Sequence, residues 1–172
     1  MIRQLPDSGR QLHTLEMPAN RRDRRRLNRE LLGKHFVALS ITVGEVEVYT
    51  GNAAAFTAGE TITAGMPVYL KASDNRVWKC DANSGDIRTA VPVGISLHAA
   101  LAGQPLVCQT SGVIDIGASM TLGESYFVGN TAGEIVPYGD LSSSVVTHLG
   151  IATDTTNKYL TLRFFASGVV KT

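Results

Sequence analysis

The sequence predicts an all-β fold, a small barrel or sandwich, preceded by a basic N-terminal arm with one short Arg-rich helix. Three observations support this prediction. Apolar residues alternate with a period of two from His35 onward. Turn-forming residues interrupt these runs at short intervals. The 172 residues include 17 Gly and only 18% charged residues, a composition that favours turn-rich β structure over a helical bundle.

Charge divides the chain into two regions. Residues 1–34 contain nine Lys and Arg against four Asp and Glu, a net charge of +5, whereas residues 35–172 contain seven against eleven, a net charge of −4. The sequence therefore predicts a basic arm over 1–34 and a β body over 35–172, and we expect the two to face different partners. The body is long enough to bury one core without disulfides.

The arm is predicted to begin as an extended tail over residues 1–17 and to continue as a helix from Arg21 to Leu32. Pro18 and Asn20 are helix start signals, and Gly33 is placed to cap the end. The apolar side of this helix is too thin to form a core, so we expect the helix to dock on a partner. The candidate partner-binding residues are Arg21, Arg22, Arg24, Arg25, Arg26, Leu27, Arg29 and Leu31.

Three interpretations of this Arg-rich helix stay open: docking on acidic protein, a solvated face, and nucleic-acid binding. Docking on protein is favoured. Nucleic acid is disfavoured because no aromatic residue lies between Met1 and His35 to stack on bases.

Alternation of apolar residues predicts the strands of the body. Val37, Leu39, Ile41 and Val43 share one face, and the apolar parity then switches to Val46 and Val48, which predicts a β-bulge at Gly44. Further strands are predicted at Pro67–Lys71, Arg76–Cys80, Val91–Leu97, Leu106–Thr110, Val113–Ile116, Ser125–Val128, Glu134–Tyr138, Val145–Ala152 and Lys158–Phe165.

An internal repeat is predicted within the body. Val68-Tyr69-Leu70 and Val77-Trp78 return 58 residues later as Tyr126-Phe127-Val128 and Ile135-Val136, and Val93-Gly94-Ile95 returns 56 residues later as Leu149-Gly150-Ile151. This pattern favours two similar β units, at about 59–97 and 117–153, over the alternative of generic strand spacing.

Signatures of catalysis or cofactor binding are missing, so no enzyme, metal or cofactor is expected. No two histidines lie three or four residues apart, and neither a nucleophile elbow nor a phosphate-binding loop occurs. Cys80 and Cys108 are expected to be buried free thiols, with a disulfide as the alternative. Trp78 is expected to pack in the core beside Tyr69 rather than to bind sugar. No signal peptide or membrane span is expected.

Six runs of the body carry related strand and turn patterns: 58–70, 76–82, 93–96, 102–113, 123–128 and 149–152. These runs resemble a family of small tailed-phage capsid cement, or decoration, proteins. The resemblance covers roughly residues 53–166.

The resemblance implies a virion structural protein on the outer surface of an icosahedral phage head, where it stabilises contacts between major capsid subunits. The implied partners are the major capsid protein and neighbouring cement subunits, and the implied state is a homotrimer. The arm departs from the short family members, and we expect it to contact acidic coat surface while the body mediates trimer contact. The alternatives are a tail fibre, baseplate or adaptor module and, less favoured, a carbohydrate-binding or hydrolytic β domain.

Overall fold

The computed structural model describes residues 38–142, 144–153 and 158–171. The chain divides into Met1–His35 and Phe36–Thr172, and the described residues all belong to the second of these units. The predicted arm over 1–34 and its Arg-rich helix lie outside the described residues.

The described body is built from antiparallel strands and forms a curled half-barrel sheet. Short 3₁₀ turns lie at Val43–Glu45, Ile87–Ala90 and Tyr138–Asp140. The strands are β1 (Val46–Thr57), β2 (Pro67–Lys71), β3 (Arg76–Lys79), β4 (Gly94–Ser96), β5 (Pro105–Ile116), β6 (Ser125–Val128), β7 (Ile135–Pro137), β8 (Ser144–Ala152) and β9 (Tyr159–Lys171). The all-β fold class is thus confirmed.

One predicted strand, Val37–Val43, is wrong over its described residues. The segment from Ala38 to Thr42 forms no strand. Leu39 and Ile41 still pack on the core, and the N–H of Leu39 donates to the carbonyl of Ile135 at 3.0 Å. The parity switch comes from the 3₁₀ turn Val43–Glu45, so the prediction of a bulge at Gly44 is also wrong.

Two other predicted strands, Leu106–Thr110 and Val113–Ile116, are parts of the single strand β5. Gly112, at φ +95°, lets the backbone pass between them without a turn.

Hydrogen-bonded neighbours follow the order β3-β2-β4-β5-β9-β8-β6-β7, with β1 paired to β5. One edge of β5 is covered by β1 along its length. The opposite edge is shared, since Ile95 and Ser96 of β4 pair with its first half and β9 pairs with its second half from Gly112 to Asp115. The strand β5 is therefore the element that joins the two ends of the sheet.

The strand pairings at the two ends of this order repeat at the residue offsets of 58 and 56 seen in the sequence. Val68 pairs with Lys79, and 58 residues later Tyr126 pairs with Pro137. Val68 also pairs with Gly94, as Tyr126 pairs with Gly150. Each end consists of a hairpin, a third strand and a long strand, which places β5 and β9 in equivalent positions.

The core lies inside the curl of the sheet and contains buried residues from both ends of the strand order, such as Ile95, Ile114 and Leu149. Both cysteines are buried and free, Cys80 in this main cluster and Cys108 in a second cluster around Val68 and Leu106. Burial raises the pKa of the Cys108 thiol to about 12 and raises that of Cys80 further, so both behave as small apolar side chains.

Candidate functional site

Strand β1 is the most exposed long element of the described body. Only Val46 among its twelve residues is buried, and the side chain of Tyr49 is 63% exposed. From Val48 to Thr57 the strand carries no charged residue and no proline. Long strands at the edge of a sheet usually carry such residues to block pairing with other chains, so β1 is open to strand addition.

A pair of glycines holds β1 against β5. Gly51 at φ +123° faces Gly112 at φ +95°, and a Cβ atom on either would lie 2.0 to 2.1 Å from a carbonyl oxygen of the other strand. The buried side-chain amide of Gln109 donates to the carbonyl oxygens of Thr50, Ser111 and Val113 at 2.9, 3.1 and 3.0 Å. These contacts fix the backbone of β1 where its register on β5 is interrupted.

The direction of the Val107 backbone shows which groups of β1 point away from the sheet. Its carbonyl accepts the N–H of Leu97 at 3.0 Å, and its own N–H donates to Nε2 of His98 at 3.0 Å. Both groups therefore point away from β1. Val107 pairs with Ala55, so this is a non-hydrogen-bonded pair and the N–H and C=O of Ala55 point outward.

Alternation along the strand gives Ala53 and Thr57 the same outward direction as Ala55. The end of this row is covered, because a parallel bridge joins Ala58 to Val77 of β3 and the N–H of Gly59 donates to the carbonyl of Val77 at 2.8 Å. Among the described residues, none pairs with the outward groups of Ala53 and Ala55. We call the outward backbone of Ala53–Ala55 the β1 edge.

A second free edge lies on β9. Leu160, Thr161 and Leu162 pair with β5 on one side and β8 on the other. Beyond Leu162, β9 pairs only with β8 among the described residues. We call the opposite side of Arg163–Ala166 the β9 edge, where Phe165 is 67% exposed.

Trp78 was expected in the core, and this expectation is wrong. The indole is half-buried on the β2–β3 hairpin, its Nε1 donates to Asp74 at 3.1 Å, and the ammonium of Lys71 lies 4.2 Å from the ring centroid. Its edge lies so close to Gly59 that a Cβ atom there would be 2.2 Å from Nε1. Lys71 therefore covers one face of the indole ring, and that face is not free to stack on a ligand.

A groove of about 480 Å³ runs beside this hairpin and is lined largely by Tyr69, Leu70, Val91 and Val93. Its rim carries Asp86 and Arg88, which form an ion pair at 2.8 Å. Hydrogen bonds from Arg88 lower the pKa of Asp86. Each charge is engaged by the other, so this pair lacks the arrangement of a general acid and base.

The two described histidines both contact backbone. Nε2 of His98 accepts from Val107, so its Nδ1 carries the proton that is donated to the carbonyl of Ala99 at 3.0 Å. Nδ1 of His148 lies 3.0 Å from the carbonyl of Arg163, and its ring packs edge-on against Phe127.

The described part of the chain contains no group of three or more His, Cys, Asp or Glu side chains that could hold a metal ion. In the same residues, no helix is long and apolar enough to cross a membrane.

The eight partner-binding residues predicted from the sequence all lie outside the described residues: Arg21, Arg22, Arg24, Arg25, Arg26, Leu27, Arg29 and Leu31. The β1 and β9 edges were missed by the sequence analysis. The signal that could have revealed β1 is the uncharged run from Val48 to Thr57.

No protein-family model matches the chain, and no curated protein matches it.

Proposed function

We propose that this chain is a virion structural protein that binds the outer surface of an icosahedral phage head and stabilises contacts between major capsid subunits. The observation that carries the proposal is the exposed strand surface of the body, with two free edges on β1 and β9 and adjoining apolar side chains such as Tyr49 and Phe165. Surfaces of this kind are suited to binding protein over a broad area.

The resemblance to capsid cement proteins supports the same function. Its runs coincide with β2, β3, β4 and β5 in the first half of the body and with β6 and β8 in the second. These are six of the nine described strands, so the proposed relationship covers most of the body rather than one loop.

In this proposal the two regions act on different partners. The basic arm contacts acidic surface of the major capsid protein through the residues between Arg21 and Arg29, and the body contacts neighbouring cement subunits in a homotrimer. Linked contacts add strongly to affinity, because the second contact forms within the same complex. Many copies over a head would thereby hold adjacent coat subunits together.

The test measures binding of the purified full-length chain to empty heads by co-sedimentation. We expect saturation at hundreds of copies per head, on the order expected for a repeated lattice site. Reversing three charges, with Arg24→Glu, Arg25→Glu and Arg26→Glu, should weaken binding by about tenfold or more, whereas the matched Arg→Lys triple variant should retain most of it.

Location and copy number separate this function from the alternative of a fibre, baseplate or adaptor module. Cryo-microscopy of intact particles should place the chain over the head shell. A few tens of copies or fewer on the tail would instead support the alternative, and absence of binding to heads would refute the proposal.

A further inference from the structure

We propose that Tyr49 and Tyr159 form an oxidative cross-linking site, at which a one-electron oxidant of phenols joins the two rings covalently. The ring centroids lie 4.7 Å apart, with 39° between the ring planes. The product is a dityrosine bridge that ties β1 to β9 across β5. This inference goes beyond the proposed function, and its test requires no capsid.

The two rings meet although their strands do not pair. Strand β5 lies between β1 and β9, since Asp115 pairs with Glu47 on one side and with Tyr159 on the other. Two strand spacings, about 10 Å, separate the backbones of β1 and β9. The rings of Tyr49 and Tyr159 therefore lean toward each other over β5 and close most of this distance.

A β-bulge aims Tyr49 at its partner. Val48 and Thr50 pair with the adjacent β5 residues Ile114 and Val113. Tyr49 is therefore an extra residue inserted in β1, and bulges of this kind redirect a side chain from the regular alternation of the strand. The ring contact thus depends on the register of β1 on β5 and not only on the rotamers of two surface side chains.

An oxidant from solution can reach this pair. Tyr49 is 63% exposed, and Tyr159 is half-buried beside it. Glu47 and Asp115 stand opposite each other next to the rings, and a carboxylate can accept the proton that a phenol loses on oxidation. The site therefore combines access, ring contact and a nearby proton acceptor.

No other tyrosine of the chain has such a neighbour. All five tyrosines lie among the described residues, and none of the other three makes a ring contact with a tyrosine. Tyr126 is buried, whereas Tyr138 is 53% exposed and packs on Phe127. Tyr138 is therefore the matched control, because it is accessible but lacks a tyrosine partner.

The reaction removes one hydrogen atom from each phenol. Each hydroxyl loses its proton and one electron, and the two phenoxyl radicals form a carbon–carbon bond between the ring positions next to the oxygen. The hydrogen on each of these carbons then moves to the phenolic oxygen through solvent, which restores both aromatic rings. The two electrons and two protons released reduce one hydrogen peroxide to two waters when a haem peroxidase carries out the oxidation.

The test treats the purified full-length chain with hydrogen peroxide and a haem peroxidase, and follows dityrosine fluorescence and intact mass. Wild type should lose two hydrogen atoms per chain and remain a monomer on a denaturing gel. The yield should not depend on protein concentration, because both rings belong to one chain. Tandem mass spectrometry of a digest should show the peptides that contain Tyr49 and Tyr159 joined to each other.

Phenylalanine variants locate the bridge. Tyr49→Phe and Tyr159→Phe keep the aromatic ring and remove the phenol, so each should abolish the product within one chain with little change in the unfolding midpoint. The matched control Tyr138→Phe should form this product like wild type.

Stability gives a second readout. The bridge joins residues that are far apart in the sequence and closes a long loop in the unfolded chain. The cross-linked chain should therefore unfold at a higher urea concentration than the untreated chain, whereas Tyr49→Phe carried through the same treatment should not shift.

Free tyrosine in a parallel reaction shows that the oxidant is active. Under those conditions, four results would overturn the inference: a wild-type chain without an internal cross-link, cross-links between chains only, a Tyr49→Phe variant that cross-links like wild type, or a cross-linked chain with an unchanged urea midpoint.

Discussion

Gly112 offers the sharpest test of the way β1 is held on the sheet. Adding a Cβ atom there would place it 2.1 Å from the carbonyl oxygen of Thr50 and 2.5 Å from Cα of Gly51. Gly103 is the matched control, because its φ of +84° is close to the +95° of Gly112 while a Cβ atom there meets nothing within 4 Å. The two substitutions to Ala thus share the backbone strain and differ only in the contact.

The size of the difference follows from these distances. Gly103→Ala should cost about 1 kcal/mol, since left-handed strain of about 1 to 2 kcal/mol is partly offset by the lower entropy of the unfolded chain. In Gly112→Ala the backbone of β1 must also retreat by about 1 Å to restore ordinary contact. That movement breaks the bond from Gln109 to Thr50 and adjoining ladder bonds, for a total cost of about 3 to 5 kcal/mol.

Thermal and urea unfolding of both variants would measure these costs. For a body of this size we expect the melting temperature to fall by about 3 °C for Gly103→Ala and by about 10 °C or more for Gly112→Ala. Equal losses in the two variants would mean that β1 does not lie against β5 as described. The proposed free edge of β1 would then lose its basis.

Three further predictions concern the interior. Gln109→Glu keeps the shape of the side chain but removes its N–H donors, so it should lower the free energy of unfolding by about 2 to 4 kcal/mol in urea titrations; a neutral effect would contradict the three observed bonds. Leu149→Ala should cost about 3 kcal/mol and the control Leu101→Ala, at a residue 59% exposed, less than about 0.5, and similar values would contradict the assigned core. Burial raises the pKa of the Cys108 thiol from its ordinary 9.0 to about 12, so the folded thiol stays protonated at a pH where the unfolded thiol ionises. The free energy of unfolding should therefore be constant below about pH 8 and fall by about 1.4 kcal/mol per buried thiol by pH 10. Unfolding of wild type and Cys108→Ala at the two pH values would measure this, and an equal fall in both would exclude the thiol as its cause.

Most strands could be predicted because their side chains carry the signal themselves. In β2 and β6 the β-branched and aromatic residues coincide with the observed bounds, and turns rich in Gly, Asn and Asp mark their ends. The same alternation misled the prediction at Val37–Val43. There Leu39 and Ile41 reach the core from a segment that forms no strand of its own, so burial on one side mimicked the pattern of a sheet.

Strand β1 could not be predicted beyond Val48 because its own residues have weak preference for sheet structure. Ala53, Ala54 and Ala55 are better helix formers than strand formers, and Gly51 favours a turn. They form a strand because β5 supplies a template of backbone groups along its full length. The free edges were equally hidden, since a sequence pattern shows which face is apolar but not which side of a strand lacks a neighbour.

The contacts that secure β1 also explain why its outer side is open. Gln109 and the glycine pair bind the strand through its backbone, and its side chains add only the buried Val46 and the half-buried Phe56, which packs against the second core cluster. A strand fixed in this way presents its other edge in a rigid conformation, and a rigid edge loses little entropy when another strand is added. Because Gly51, Gly112 and the bond from Gln109 hold β1 largely through its backbone, the same contacts determine how firmly the strand is bound and how rigidly its outer side is presented.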